Sequence, residues 1–135
     1  MITRKIDKII IHCADTKTSQ SFDISEVDLW HKKRGFSKVG YHYYIRLDGT
    51  LQIGRELNEV GAHCKGQNSK SIGICFEGGL NPDSSKWSTP LNEQLLTYDS
   101  LISYLNSIFG DLSIHGHYEF SDTKNCPNFL IDEVL

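Results

Sequence analysis

The sequence predicts an α/β layer fold, with one mixed β-sheet of about five strands flanked by helices. Three observations carry that reading. Ile9-Ile10-Ile11 is an apolar run without polar alternation, as a strand covered on both faces requires. Asp48-Gly49 separates two strand-like stretches and is a strong hairpin signal. Leu91, Leu95, Leu101, Ile102, Leu105 and Ile108 recur at helical spacing. At 135 residues the chain fits a single domain, residues 1–135.

Taken in order, Lys5 to Cys13 reads as the first strand, with His12 near its carboxyl end. Asp15 to Asp23 is polar and reads as a loop. A helix follows to about Arg34, ended by Gly35. Ser25 is its expected cap, Asp28 the acidic third residue, and Ile24 and Leu29 a hydrophobic staple. Val39 to Arg46 reads as a strand with Tyr41, Tyr43 and Ile45 on one face and His42, Tyr44 and Arg46 on the other. Leu51 to Arg55 returns from the hairpin, and Glu56 to Gln67 is loop-like. Ser71 to Phe76 is an apolar strand closed by Gly78-Gly79. Thr89-Pro90 is the expected start of the long helix and Gly110 its stop. Leu112 to about His117 is the last strand, and a helical turn is expected after Phe129.

Composition excludes some functions. Hydrophobic residues make up 39% and charged residues 23%, an ordinary soluble balance. The net charge of −3 gives no electrostatic reason for nucleic-acid or anionic-membrane binding. Lys32-Lys33-Arg34, the densest basic run, reads as a solvated helix end. No stretch approaches transmembrane length, so no membrane insertion is expected. The opening residues lack a signal-peptide pattern, so synthesis in the cytoplasm is expected. Four cysteines without CxxC spacing then point to reduced thiols or metal ligation.

The chemistry concentrates near the end of the chain. His115, His117, Glu119, Lys124 and Cys126 lie within a short stretch. A catalytic zinc site takes three protein ligands and leaves a position for water. His12, His117 and Cys126 form such a set if strand ends converge. Spacing alone leaves rivals standing: Cys126 and His117 as a nucleophile–base pair, structural histidines, and a small buried thiol. Lys124 is a candidate oxyanion partner or a solvated lysine. Tyr41 can orient water, or be a plain aromatic. Glu119 is a candidate acceptor for a ligating imidazole, or a surface acid. His63 can face a cleft, or lie on the surface.

Read together, several motifs resemble one family. They are Ile9-Ile10-Ile11-His12-Cys13, Val39-Gly40-Tyr41-His42-Tyr43, Asp48-Gly49-Thr50, Gly54-Arg55, Val60-Gly61-Ala62-His63, Asn68 with Ser71-Ile72-Gly73-Ile74, Gly116-His117 and Lys124-Asn125-Cys126-Pro127. In this order they resemble the zinc-dependent N-acetylmuramoyl-L-alanine amidases, the family of phage lysozyme-type amidases and peptidoglycan recognition proteins. The resemblance is collinear over about residues 5 to 129.

The resemblance implies one catalytic Zn2+ held by His12, His117 and Cys126, with Tyr41 and Lys124 as catalytic residues. It implies hydrolysis of the amide joining N-acetylmuramic acid to L-alanine in bacterial peptidoglycan. His63, Asn68 and Trp30 are the expected substrate contacts, and His115 stays outside the matched set. Recognition proteins that only bind cell wall typically lack the cysteine, so Cys126 favours an enzyme over a non-catalytic or regulatory binding domain. Stem-peptide choice in those proteins uses the loop here occupied by Glu56-Leu57, which matches neither usual pair. A substrate outside the inner membrane and a chain without an export signal imply a phage endolysin released through a holin, or a lytic effector delivered by a secretion system. A monomer is expected.

Overall fold

The computed structural model describes residues 2–135. Its centre is β1 (Lys8–Cys13), whose isoleucines are fully buried. Burying each side chain of this kind contributes about 1.5–3 kcal/mol. The run is apolar throughout because both faces of this strand are covered. β1 pairs in parallel with β5 (Ser71–Phe76) on one side and β7 (Ser113–Gly116) on the other. β3 (Tyr43–Ile45) joins β5 in parallel, and β4 (Leu51–Ile53) closes the edge antiparallel to β3. The five-stranded order is β4-β3-β5-β1-β7, the mixed sheet the pattern predicts.

The Asp48-Gly49 hairpin is present. Arg46 N–H donates to the Thr50 carbonyl, and Asp48 Oδ1 accepts from Thr50 N–H at 2.9 Å. Gly49 supplies the positive φ of 89° that the turn needs.

Each sheet face has its own layer. On one, Ile9, Ile11, Ile72, Ile74 and Phe76 pack against α2 (Asn92–Phe109) and α3 (Ile131–Val134). On the other, Tyr44 and Cys75 meet Val27 of α1 (Ile24–Lys33). Two further short strands, β2 (Thr16–Lys17) and β6 (Gly79–Leu80), pair in parallel beside the main sheet. β2 falls in the predicted Asp15 to Asp23 loop and β6 at the glycines expected to close the Ser71 to Phe76 strand, since two-residue strands carry no period.

Helix starts differ from expectation. Asp23, not Ser25, caps α1: its carboxylate accepts from Ser25 N–H at 3.0 Å and Glu26 N–H at 3.3 Å. Asp28 instead accepts from Val39 N–H at 2.7 Å and pairs with Lys32, while Leu29 is exposed. α2 begins two residues after Pro90. Gln94 Oε1 takes the Leu91 N–H at 3.1 Å, and its amide donates to the Ile45 and Glu77 carbonyls. This buried glutamine and Tyr98 complete the inward stripe with Leu101 and Leu105, whereas Leu91 and Ile108 are exposed. Among the described residues, no helix is long and apolar enough to cross a membrane.

Candidate metal centre

His12 lies on the α1 face of the sheet, opposite Cys75 of β5, and is 1% exposed. His117 opens a 3-10 turn directly after β7, one residue beyond the strand expected to hold it. The turn needs Gly116 before it, because a Cβ there would overlap the Tyr118 ring. The loop carrying Cys126 is tied down at several points. Tyr118 N–H donates to the Cys126 carbonyl at 3.0 Å. Asn128 donates its side-chain amide to Asp15 and to the Gly79 carbonyl, and Phe129 packs on Phe76. Since β7 lies beside β1, both later residues arrive over the end of the strand that carries His12.

One ligand atom each from His12, His117 and Cys126 lies within 4.8 Å of the others. His12 Nδ1 is 3.8 Å from Cys126 Sγ. Tetrahedral zinc with ordinary bond lengths would set nitrogen and sulfur about 3.6 Å apart. Two imidazoles and a thiol are also the borderline-soft donors zinc prefers. The residues therefore fit such an ion, with a fourth corner left for water. Cys126 is suited to ligation as a thiolate. The Cys13 thiol hydrogen-bonds to its sulfur and pulls its pKa far down; burial opposes this, and His117 and His12 reinforce it. Cys13 N–H also donates to the sulfur at 3.3 Å.

The three donors line a cleft of about 970 Å³, room for a sugar with several peptide residues. Tyr41 shares the cleft, its ring 5.0 Å from that of His12. It packs in the α1 layer rather than on the Tyr43 face, because the chain bends before β3 begins. Burial pushes its phenol well above the usual range, with nearby thiols adding to the effect, so at neutral pH it is a hydrogen-bond donor. Gly40, just before it, faces the Ala62 backbone at a separation that admits no side chain.

Lys124 is exposed on the cleft rim. His63 and Asn68 also line the cleft. Asn68 Oδ1 accepts from the His63 and Cys64 N–H groups and shapes their loop. His63 is 9% exposed and sits behind His12, with its Nδ1 2.8 Å from His12 Nε2. Trp30 is elsewhere: it stacks edge-on with Phe22 at 5.0 Å in the α1 layer, and is not among the cleft-lining residues. Glu119 does not support a ligating imidazole. It accepts from Gly116 N–H and lies 3.0 Å from His115 Nδ1, which accounts for His115 as well.

Sequence reasoning missed Cys13, His31 and Ser71. His31 lines the cleft and takes the Gly40 N–H on its Nδ1 at 2.9 Å. Burial, with Arg34 and Arg55 nearby, lowers its pKa from 6.5 to about 4. Cys13 and Ser71 stand in motifs that carry the resemblance, but nothing there marks their roles; His31 had no sequence signal.

The N-acetylmuramoyl-L-alanine amidase family model matches residues 2–129. This chain belongs to that family. It is 40% identical over 126 residues to the endolysin of Escherichia phage T7, covering 91% of this chain and 81% of the relative. It is 33% identical over 126 residues to the endolysin of Klebsiella phage KP32, covering 93% and 83%. Among solved structures, the N-acetylmuramoyl-L-alanine amidase LysC from Clostridium intestinale superposes with a TM-score of 0.83 at 30% identity, covering 96% of this amidase and 83% of LysC. The peptidoglycan recognition protein PGRP-LB of Drosophila shares the fold, with a TM-score of 0.79 at 24% identity.

Proposed function

We propose that this amidase cleaves the bond between the lactyl group of N-acetylmuramic acid and L-alanine in bacterial peptidoglycan, as an endolysin, using one zinc ion held by His12, His117 and Cys126. The observation that carries the metal reading is the convergence of those three donors, drawn from opposite ends of the chain, on the floor of one cleft. Bound zinc would supply a Lewis acid and a water with its pKa lowered toward about 7.

The chain's own groups do the rest. Cys126 contributes negative charge and His12 a neutral imidazole, since burial holds His12 below its ordinary pKa. Tyr41, a neutral donor beside His12, orients the attacking water or the tetrahedral oxygen. Lys124 brings a cation to the cleft rim, where it stabilises charge developing on the carbonyl oxygen. The protein acts at the cell wall after release from the cytoplasm, and as a monomer.

The test is mass spectrometry of digested, purified peptidoglycan with and without chelator. Free muramic acid ends that vanish on chelation and return with zinc are expected. Cleavage within the glycan or between peptide residues would overturn the proposal. Cys126→Ser should lose most zinc and activity while remaining folded; hydrolysis at the native rate by that variant would also overturn it. A thiol hydrolase built on Cys126 would instead stay active with chelator present and die on alkylation.

A further inference from the structure

Behind the metal-binding face runs a chain of four polar groups that ends on a backbone carbonyl. Ser71 Oγ lies 2.8 Å from the Gln67 carbonyl oxygen and 3.2 Å from His63 Nε2. His63 Nδ1 lies 2.8 Å from His12 Nε2. Proton bookkeeping allows only one direction along it. A carbonyl oxygen accepts, so the single hydroxyl proton of Ser71 points at Gln67. Toward His63 the hydroxyl oxygen can then only accept, which places a proton on His63 Nε2. A neutral His63 with its proton there has a bare Nδ1. His12 must therefore carry its proton on Nε2, and its Nδ1 is left with a free lone pair. That Nδ1 is the atom facing Cys126.

We infer that His63, oriented by Ser71 and the Gln67 carbonyl, is a positioning residue that locks His12 into the tautomer able to ligate through Nδ1. The inference rests on His12 being a metal ligand, as proposed above. It assigns His63 a place beneath the reaction rather than in contact with substrate.

The surroundings of His63 are built for this. A Cβ on Gly61 would come within 2.6 Å of the His63 ring, and one on Gly73 within 2.7 Å. Two backbone segments therefore press on the imidazole where any other residue would displace it. Asn68 fixes the His63 backbone from the same loop that supplies the Gln67 carbonyl. Ser71 is fully buried on β5 and faces inward beside Gly73. A polar residue there would be costly without partners, and both its partners belong to this chain of groups. The arrangement resembles the outer-layer acceptors that orient metal-bound imidazoles elsewhere, with a second imidazole in place of a carboxylate.

The test has two readouts. Zinc affinity is measured by chelator competition on His63→Leu, His63→Asn and Ser71→Ala. His63→Leu should weaken zinc binding roughly 10- to 100-fold, as loss of an orienting partner does. His63→Asn, whose side-chain oxygen can replace Nδ1 as acceptor, should recover most of the loss. Ser71→Ala should weaken binding less than His63→Leu. The second readout needs no metal. Nitrogen-15 NMR of the metal-free protein, at mildly alkaline pH, should find the His12 proton on Nε2, and Ser71→Ala should shift protons toward Nδ1. A folded His63→Leu with native zinc affinity overturns the inference, as does a wild-type His12 protonated on Nδ1. Failure of the wild type to bind zinc would instead sink the proposed metal function, leaving the tautomer result to decide this inference. If His63→Leu does not fold, Ser71→Ala carries both readouts.

Discussion

Mild acid should destabilise this protein through its buried imidazoles. Burial lowers both His31 and His42 from 6.5 to about 4. Each also uses its Nδ1 as an acceptor, His31 from Gly40 N–H and His42 from Gly73 N–H, so protonation would set two donors face to face. His31 sits in the last turn of α1, where the helix dipole favours a cation by about 0.3–1 kcal/mol. The drop in pKa corresponds to about 3 kcal/mol, so burial wins. The sign follows from the direction of the shift. The unfolded chain binds a proton below 6.5 that the folded chain refuses until about 4, so stability falls as pH drops through that window. At about pH 5 the loss is about 2 kcal/mol for each imidazole, or about 4 for the pair. That is a large part of an ordinary domain's 5–15 kcal/mol, roughly. His12 and His63, also lowered by burial, push the same way. The assay is denaturant unfolding at neutral pH and near pH 5, with chelator in both arms so that metal release does not contribute. His31→Asn keeps an acceptor for Gly40 without a titrating group, and should reduce the difference by about 2 kcal/mol. A flat profile across the window, or an unchanged slope in His31→Asn, would refute the reasoning.

Three further outcomes are expected. Gly73→Ala forces the His63 ring back by about 0.7 Å to reach ordinary contact, so it should cost about 1–3 kcal/mol in unfolding experiments and weaken zinc binding; native values for both would contradict the packing described. Tyr41→Phe should keep its zinc and its KM but lose roughly a hundredfold in kcat, because only the donor near the reacting atoms is removed; an unchanged kcat would exclude the role given to the phenol. Asp23→Ala should lower the melting temperature more than Ser25→Ala does, since Asp23 takes the first free N–H groups of α1; the reverse order in thermal melts would restore Ser25 as the cap.

The strongest signals in the sequence were those with a long or rigid pattern. An isoleucine triplet buried on both faces, an Asp-Gly turn and a helical stripe ending at Gly110 each left one local solution, and the sheet followed. The candidate ligand set came from motif order rather than spacing, because His12 and Cys126 are 114 residues apart and meet only through β1 and β7. Less was legible where two residues compete for one task. Asp23 and Ser25 are both capping types; the carboxylate wins because it collects two N–H groups while the Ser25 hydroxyl itself donates to Asp23. Tyr41 was assigned a face by strict alternation, which fails where the chain bends before β3. Glu119 lies only two residues from His117, yet the 3-10 turn aims its carboxylate back at the Gly116 N–H and at His115, a direction that spacing does not reveal. Ser71 stands in a matched motif, but the role of its hydroxyl was not legible, because a serine at a strand start is ordinary and its partners come from other segments.

The placement of His12 on β1 and Cys126 in the closing loop makes the site a test of chain integrity. No fragment from either end contains the full donor set, and a break anywhere between the two leaves each piece without it. During synthesis, at roughly 5–20 residues per second, the nascent protein can fold much of its sheet while the candidate metal site is still incomplete. Only when the last strand docks beside the first does the cleft acquire its floor. On the proposed metal reading, hydrolysis then belongs only to the molecule with both ends in place, and a cut that frees either end abolishes it.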